Sequence, residues 1–234
     1  MFHSSSKFYD LIYTTIKDYP NEAKQIAGLL RRLHPQCATV LDVACGTGEH
    51  VRLLAAEGFN VDGLDLEPGL LRIATKKHSS RFFQADMSDF HIPHRYDAVV
   101  CLFSSIGYLV TLERVAKALM CFREHLVPGG VIVVEPWFGP GGLDTTRITR
   151  NVAEAGGVRV TRESRVEVEE RISRLYFDYE ISDTTGTRCV REIHELGLFT
   201  PAEMLEQFHK AGLDVEHDPN GLTGRGLYVA RVSP

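Results

Sequence analysis

The sequence predicts an α/β protein: a doubly wound, mostly parallel sheet with a smaller antiparallel sheet inserted late in the chain. Three observations predict it. Short apolar runs alternate with helical patterns of roughly 10–15 residues from Pro20 to Val134, which is the rhythm of βαβ units. The first apolar run feeds directly into a glycine-rich turn. From Val158 to Phe199 the hydrophobic period changes to two, the mark of antiparallel strands.

Each element follows in order. Pro20 to Leu33 carries Ala23, Ile26, Ala27, Leu30 and Leu33 at helical spacing, with Pro20-Asn21-Glu22 as its start. Thr39 to Ala44 reads as a short buried strand entering Cys45-Gly46-Thr47-Gly48. A second helical pattern with Val51, Leu53, Leu54 and Ala55 stops at Gly58. Asn60 to Asp65 is the next strand, and Glu67 to Lys77 the next helix, with Pro68 in the first turn where proline is tolerated. Arg81–Ala85 and Tyr96–Leu102 are strands, Leu112–His125 a helix, and Val127–Gly130 a turn before the apolar strand Val131–Val134. Such near-continuous apolar strands require a sheet covered on both faces.

The later region predicts an antiparallel sheet of about three strands, with Asp183-Thr184-Thr185-Gly186 as a hairpin turn. The alternating charges from Arg162 to Arg174 read as its wet face. Thr200-Pro201-Ala202-Glu203 is a helix start with an N-cap and proline at the first position; that helix ends near Gly212. Leu213–Val215 and Leu227–Val232 close the chain as strands.

Composition excludes whole classes without naming an activity. The 234 residues are 44% apolar and 24% charged, as in an ordinary globular protein. Lys and Arg total 26 against 31 Asp and Glu, a net charge of −5, which argues against nucleic acid or an anionic membrane as partner. No run approaches the ~20 apolar residues of a membrane helix. Lys7, Asp10, Lys17 and Asp18 break the N-terminal stretch, so it is not read as a signal peptide. Five cysteines, an odd count without CxxC, read as reduced thiols of a cytoplasmic protein.

The chemistry lies at strand ends. Leu41-Asp42-Val43-Ala44-Cys45-Gly46-Thr47-Gly48 is an apolar strand, a glycine turn and a helix start, which lets backbone approach a ligand closely. Asp65 ends the second strand, about twenty positions on, where a carboxylate accepts from a ribose diol. Asp86 ends the third and is placed to accept from an adenine amino group. Together they predict an adenosine-bearing cofactor. A dinucleotide fingerprint wants a third glycine where Val51 stands, and Asp42 within the strand is unfavourable to a pyrophosphate. A cofactor with an ammonium and a sulfonium tolerates that carboxylate. No P-loop Gly-Lys-Ser/Thr is present.

The stretch Asp42-Val-Ala-Cys-Gly-Thr-Gly48 resembles motif I of class I S-adenosylmethionine-dependent methyltransferases, and Asp65 and Asp86-Met87 match that family's next two motifs. Phe8-Tyr-Asp-Leu, Lys17-Asp-Tyr19, Asp86-Met-Ser-Asp-Phe90, Cys101-Leu-Phe-Ser-Ser-Ile-Gly-Tyr108, Val134-Glu-Pro-Trp137 and Gly224-Arg-Gly-Leu227 extend the likeness over almost the whole chain. These segments resemble the N,N-dimethyltransferases of nucleotide-linked 3-amino-3,6-dideoxyhexoses in antibiotic sugar pathways. The match departs after Trp137, where Phe138 stands in place of a second Trp.

The resemblance implies a Rossmann-like doubly wound sheet of about seven strands, completed by the terminal hairpin. It implies S-adenosylmethionine as cofactor, S-adenosylhomocysteine as product, and a cofactor site of Asp42, Ala44, Gly46, Gly48, Asp65, Leu66, Asp86, Met87 and Tyr9. Tyr9, Tyr13 and Tyr19 suit an aromatic lid. Ser104, Ser105, Glu135 and Trp137 are expected at the acceptor, and Arg225 is a candidate phosphate fork. Methyl transfer needs mainly an amine held in line with the donor. Tyr108 is therefore expected to orient the nitrogen and Tyr19 to cover the cofactor, with no dedicated base.

The domain plan is one unit, 1–234. It comprises an N-terminal lid and helix (1–35), a cofactor-binding core (36–140), the inserted sheet (150–199), and a terminal helix with strand hairpin (200–234). The inserted sheet is expected either to cover the acceptor or to join two subunits, a homodimer being the protein partner considered. No metal is expected: Pro93 separates His91 from His94, and a solvated loop is the better reading. Rival readings are a methyltransferase for another small amine or hydroxyl, a non-catalytic S-adenosylmethionine-binding protein, and a nicotinamide oxidoreductase.

Overall fold

The computed structural model describes residues 5–232. Its larger sheet comprises β1 (Thr39–Val43), β2 (Asn60–Asp65), β3 (Phe82–Gln84), β4 (Tyr96–Cys101), β5 (Leu126–Val134), β10 (Leu213–Asp218) and β11 (Leu227–Val232). The seven strands run in the order β10-β11-β5-β4-β1-β2-β3, parallel except for β11, which is antiparallel to both neighbours.

Alternate side chains of these strands feed two cores. Leu41, Val43, Val99, Cys101, Ile132 and Val134 pack against α5 (Leu112–Glu124) and α6 (Pro201–Lys210) through Leu119, Phe122 and Phe208. Val40, Val61, Ala98, Val100, Val131 and Val133 pack against α2 (Tyr19–Leu33) and α3 (Glu49–Ala56) through Ile26, Leu30 and Leu54. Two covered faces account for the apolar runs. The start of α6 is held by a capping box in which Thr200 and Glu203 satisfy each other's backbone N–H groups.

Strand order reverses at β1, which lies between β2 and β4, so a crevice opens beyond the C-terminal ends of β1 and β4. Both strands leave through left-handed backbone at residues other than glycine: Ala44 (φ 60°), Phe103 (φ 54°) and Ser104 (φ 62°). Such conformations cost about 1–3 kcal/mol each and persist where surrounding structure dictates them.

The second sheet has four antiparallel strands, not about three: β6 (Thr149–Ala155), β7 (Val158–Glu169), β8 (Ile172–Asp183) and β9 (Gly186–Gly197). The extra strand, β6, reads Thr-Arg-Asn-Val-Ala-Glu-Ala and offers no large apolar alternation to recognise. The β8–β9 hairpin turns at Asp183–Gly186 as expected. Two strands are longer than their apolar runs: β5 begins at Leu126, with a register irregularity against β4 between Tyr96 and Ala98, and β10 continues to Asp218.

Helix α1 (Tyr9–Ile16) sits between the two sheets. Ile12 packs with Val160, Phe177, Tyr179 and Ile181 of the inserted sheet, while Tyr13 packs with Tyr19 and Leu70 on the other side. The segment expected as a lid therefore bridges the wall of one sheet and the glycine loop of the other.

Candidate active site

A cavity of about 380 Å³ lies between the C-terminal edge of the parallel sheet and the inner face of the inserted sheet. That is within the roughly 300–1,000 Å³ of small-molecule sites. Ala44, Gly46, Asp65, Leu66, Asp86 and Met87 line one side, with Tyr9 over them. Ser104, Ser105, Tyr108 and Trp137 line the other, together with the sheet wall.

Asp65 organises the glycine loop. Its Oδ2 accepts from Gly46 N (2.8 Å) and its Oδ1 from Glu67 N (2.8 Å). Each oxygen keeps a further lone pair for a ligand hydroxyl. Burial raises its pKa, and the two backbone N–H groups offset part of that. Gly48 does not line the cavity. It adopts φ 81° at the N-cap of α3, and a Cβ there would stand 2.8 Å from His78, so this turn requires glycine. Cys45 is a packing residue whose sulfur lies where Gly63 leaves space.

Asp42 and Tyr19 meet in a smaller adjacent cavity with His50 and Thr47, behind the glycine loop. Asp42 is buried and its Oδ2 has no hydrogen-bond partner. Burial, reinforced by the charge of Asp65, pushes its pKa up to about 8. Tyr19 is therefore not over the main cavity; its phenol is buried and its pKa is raised by that burial. Asp86 is more open. Its Oδ1 accepts from Ser88 N (2.8 Å) and its Oδ2 from Arg114 Nη2 (2.6 Å). Burial works to raise its pKa, but Ser88 and Arg114 outweigh it and hold the carboxyl below the usual range.

On the opposite side, Tyr108 occupies a short 3-10 turn (Ser105–Leu109) after β4, and its Oη lies 3.0 Å from Nδ1 of His194 on β9. Burial raises the phenol's pKa, so it stays protonated. His194 Nε2 is 3.6 Å from Glu192, which accepts from Ser5 N (2.9 Å) and Ser5 Oγ (2.7 Å). Trp137 donates its indole N–H to Ser173 Oγ on the inserted sheet (2.9 Å), and Ser104 Oγ donates to Pro136 O (2.7 Å).

One expected acceptor contact is corrected. Glu135 is fully buried and does not line the cavity. Its carboxylate accepts from Phe103 N (2.6 Å), Thr223 Oγ1 (2.6 Å) and Arg225 Nη2 (3.0 Å), so it holds the left-handed exit of β4. Arg225 lines the cavity, and its Nε and Nη2 donate to Thr223 and Glu135. A second correction concerns the sheet. Arg162 is not on the wet face: β7 presents it inward, 5% exposed, against the cavity.

Sequence reasoning passed over Arg114, Arg162, Ser164, Phe177 and His194, all of which line the cavity. A signal existed for three of them. Arg162 and Ser164 share the parity of Val158 and Val160, and His194 that of Leu196, so each polar residue falls on the inward face of its strand. Among the described residues no group of metal-ligating side chains is found, and His94 meets Arg81 Nη1 (2.7 Å).

Comparison with known proteins places these features in context. Residues 40–130 match the family described as methyltransferase domain. The dTDP-3-amino-3,6-dideoxy-alpha-D-glucopyranose N,N-dimethyltransferase of Streptomyces fradiae is 39% identical over 227 residues, covering 96% of this chain and 89% of the relative. The dTDP-3-amino-3,4,6-trideoxy-alpha-D-glucopyranose N,N-dimethyltransferase of Streptomyces venezuelae is 39% identical, covering 94% of each chain. Among solved structures, Streptomyces venezuelae DesVI superposes with a TM-score of 0.92 at 38% identity, over 99% of both chains.

Proposed function

Because the chain belongs to the S-adenosylmethionine-dependent sugar N,N-dimethyltransferases, we propose that it dimethylates the amino group of a nucleotide-linked 3-amino-3,6-dideoxyhexose. The observation that carries this reading is the continuous cavity whose lining runs from Asp65 and Asp86 past Tyr108 and Trp137 to the inner face of the inserted sheet.

The residues present fit S-adenosylmethionine. Asp42 supplies an unpartnered buried carboxylate oxygen, suited to an ammonium nearby. Asp65, Asp86 and Met87 line the cavity, and their chemistry suits a ribose diol for the first and the adenine for the other two. The cofactor supplies a methyl group already activated on a sulfonium. What remains for the chain is positioning, and well-oriented reactants can gain roughly 7–11 kcal/mol that way.

Tyr108, fixed by His194, presents a protonated phenol that orients the acceptor nitrogen. Tyr9 and Tyr13 of α1, with ring centroids 4.4 Å apart, close the top of the site and exclude water. An amine with electron-withdrawing neighbours is partly unprotonated near neutral pH, so solvent can take its proton. In this reading the inserted sheet serves as the acceptor wall, which leaves its outer face as the surface a homodimer would use. The five free cysteines agree with a cytoplasmic setting.

The test is incubation of the protein and S-adenosylmethionine with a panel of nucleotide-linked amino sugars, read by mass as one or two added methylene units. Two additions to a 3-amino acceptor are expected. Modification only of amines without a nucleotide would reject the reading.

A further inference from the structure

Resting on the reading of Asp86 as the carboxylate that meets the adenine, we propose that Arg114 of α5 is a positioning residue for the cofactor base: it holds Asp86 in one orientation and so makes the site selective for a 6-aminopurine. The two residues stand 28 positions apart in sequence. The fold brings them together at one edge of the cavity, where Leu66, Ala85, Met87 and Leu109 supply the apolar lining.

Asp86 lies two residues beyond the three-residue strand β3. Its Oδ1 accepts from Ser88 N (2.8 Å) and Ser88 Oγ (2.7 Å), a local turn that moves with its own loop. Its Oδ2 instead accepts from a different element, through Arg114 Nη2 (2.6 Å), and the same nitrogen is 3.3 Å from Ser88 Oγ. Arg114 therefore ties the loop to α5, which is anchored on the sheet by Val115, Ala118 and Leu119. Oδ2 keeps a second lone pair for a ligand amino group.

The place of Arg114 is unfavourable by local rules. Thr111 caps α5 and its Oγ1 accepts from Arg114 N (3.3 Å), so the arginine stands in the first turn, where the helix dipole opposes a cation. Its neighbour Glu113 obeys the rule and pairs with Lys117 (2.8 Å). A residue that breaks a local rule and lines a cavity is expected to serve the site. The Arg114–Asp86 pair is 43% and 34% exposed, so it contributes little to stability, and what it supplies is orientation. A fixed carboxylate accepts from a 6-amino group and repels a 6-oxo group, whose oxygen is itself an acceptor.

The test is calorimetry of the full chain with S-adenosylhomocysteine and with S-inosylhomocysteine, which carries oxygen in place of the 6-amino group. The wild type should prefer the first. Arg114→Met should reduce that preference about 10-fold, the size of one hydrogen bond lost. Arg114→Lys should restore part of it, since an ammonium still meets a carboxylate but without the planar fork. Thermal midpoints should stay at the wild-type value in both. In an Asp86→Ala background Arg114→Met should add no further loss, because the effect runs through the carboxylate.

An unchanged preference in Arg114→Met, with the preference lost in Asp86→Ala, overturns the role of Arg114 and leaves Asp86 at the adenine. A loss of preference from Arg114→Met that persists in the Asp86→Ala background overturns it in favour of direct contact with the base. Equal weakening of both ligands with a lowered midpoint makes the arginine structural. A preference untouched by Asp86→Ala removes the underlying reading of Asp86, and the role of Arg114 with it.

Discussion

Beyond β1 and β4 the cavity is shaped by backbone, whereas the wall opposite is shaped by side chains of a regular sheet. On the first side the chain turns sharply through left-handed Ala44, Phe103 and Ser104, and carboxylates of Asp65 and Glu135 hold backbone N–H groups of those turns. On the second, β7, β8 and β9 run twelve residues each without interruption, and every second side chain faces inward, toward α1 or the ligand space. The first construction tolerates few residue types at each position, since φ and hydrogen bonding are both specified. The second lets the residues facing the acceptor change without disturbing the ladder. A fold that keeps one donor and varies its acceptor benefits from that division.

The largest effect should come from the backbone-built side. Asp65→Ala removes the acceptor for Gly46 N and Glu67 N together with the expected partner of a ribose diol. Charged hydrogen bonds contribute about 1.5–3 kcal/mol each, so S-adenosylhomocysteine affinity should fall about 100-fold or more. Calorimetry measures this directly. Binding of thymidine diphosphate, a probe for the nucleotide of the acceptor, should change far less in the same variant, and an equal loss of both would erase the distinction between the two walls.

Tyr108→Phe tests the seam between them, since its phenol stands on the β4 side and its partner His194 on β9. A positioning role predicts a fall in kcat of about 10–100-fold, with cofactor affinity unchanged. Loss of several orders of magnitude would make the phenol or His194 part of an obligatory proton path and end the base-free description.

The same division explains what was legible in the sequence. Strand ends, glycine turns and caps are local signals, so β1, β2, α4 (Pro68–Lys77) and the capped start of α6 fall within a residue or two of their expected bounds. Gly46, Asp65 and Asp86 could be singled out because each sits at a strand terminus. Arg162 and His194 sit mid-strand, where a polar residue on the inward face looks like its outward neighbours unless parity is counted. Glu135 misled for the opposite reason. It ends a strand and resembles a site residue, but its partners Thr223 and Arg225 lie some ninety positions away in sequence. Strand β6 was missed because small and polar residues carry no period.

Asp42 sharpens the cofactor side through pH. Its folded pKa of about 8 lies above the unfolded value of about 3.9. The folded protein therefore holds a proton that the unfolded chain releases, and this contribution to stability is present below pH 4 and lost as pH rises towards 8. The midpoint of the ligand-free protein should fall across that window, and Asp42→Asn should flatten the slope. A ligand ammonium near the carboxylate favours its ionised form, so binding of S-adenosylmethionine at pH 7 should release a fraction of a proton. Calorimetry in buffers of different ionisation enthalpy reads that release, which disappears in Asp42→Asn. A binding enthalpy independent of buffer would mean that Asp42 does not face the ammonium.

The smallest effect should come from the outer face of the inserted sheet, whose inner face lines the cavity. Arg191 pairs with Asp178 across β8 and β9, with donors at 2.5 and 2.9 Å, on the face turned away from the cavity. Both side chains are well exposed, so water and salt screen the attraction, and ordering two long side chains offsets much of what is left. Arg191→Gln should leave the thermal midpoint, both ligand affinities and kcat at wild-type values. Arg162 and Arg191 are the same residue type on β7 and β9, the two strands that flank β8, and the parity of their positions puts them on opposite faces of one sheet. If Arg191→Gln weakened thymidine diphosphate binding, general surface charge and not the inward face of the sheet would be attracting the acceptor. The contrast between the two faces would then have no functional content.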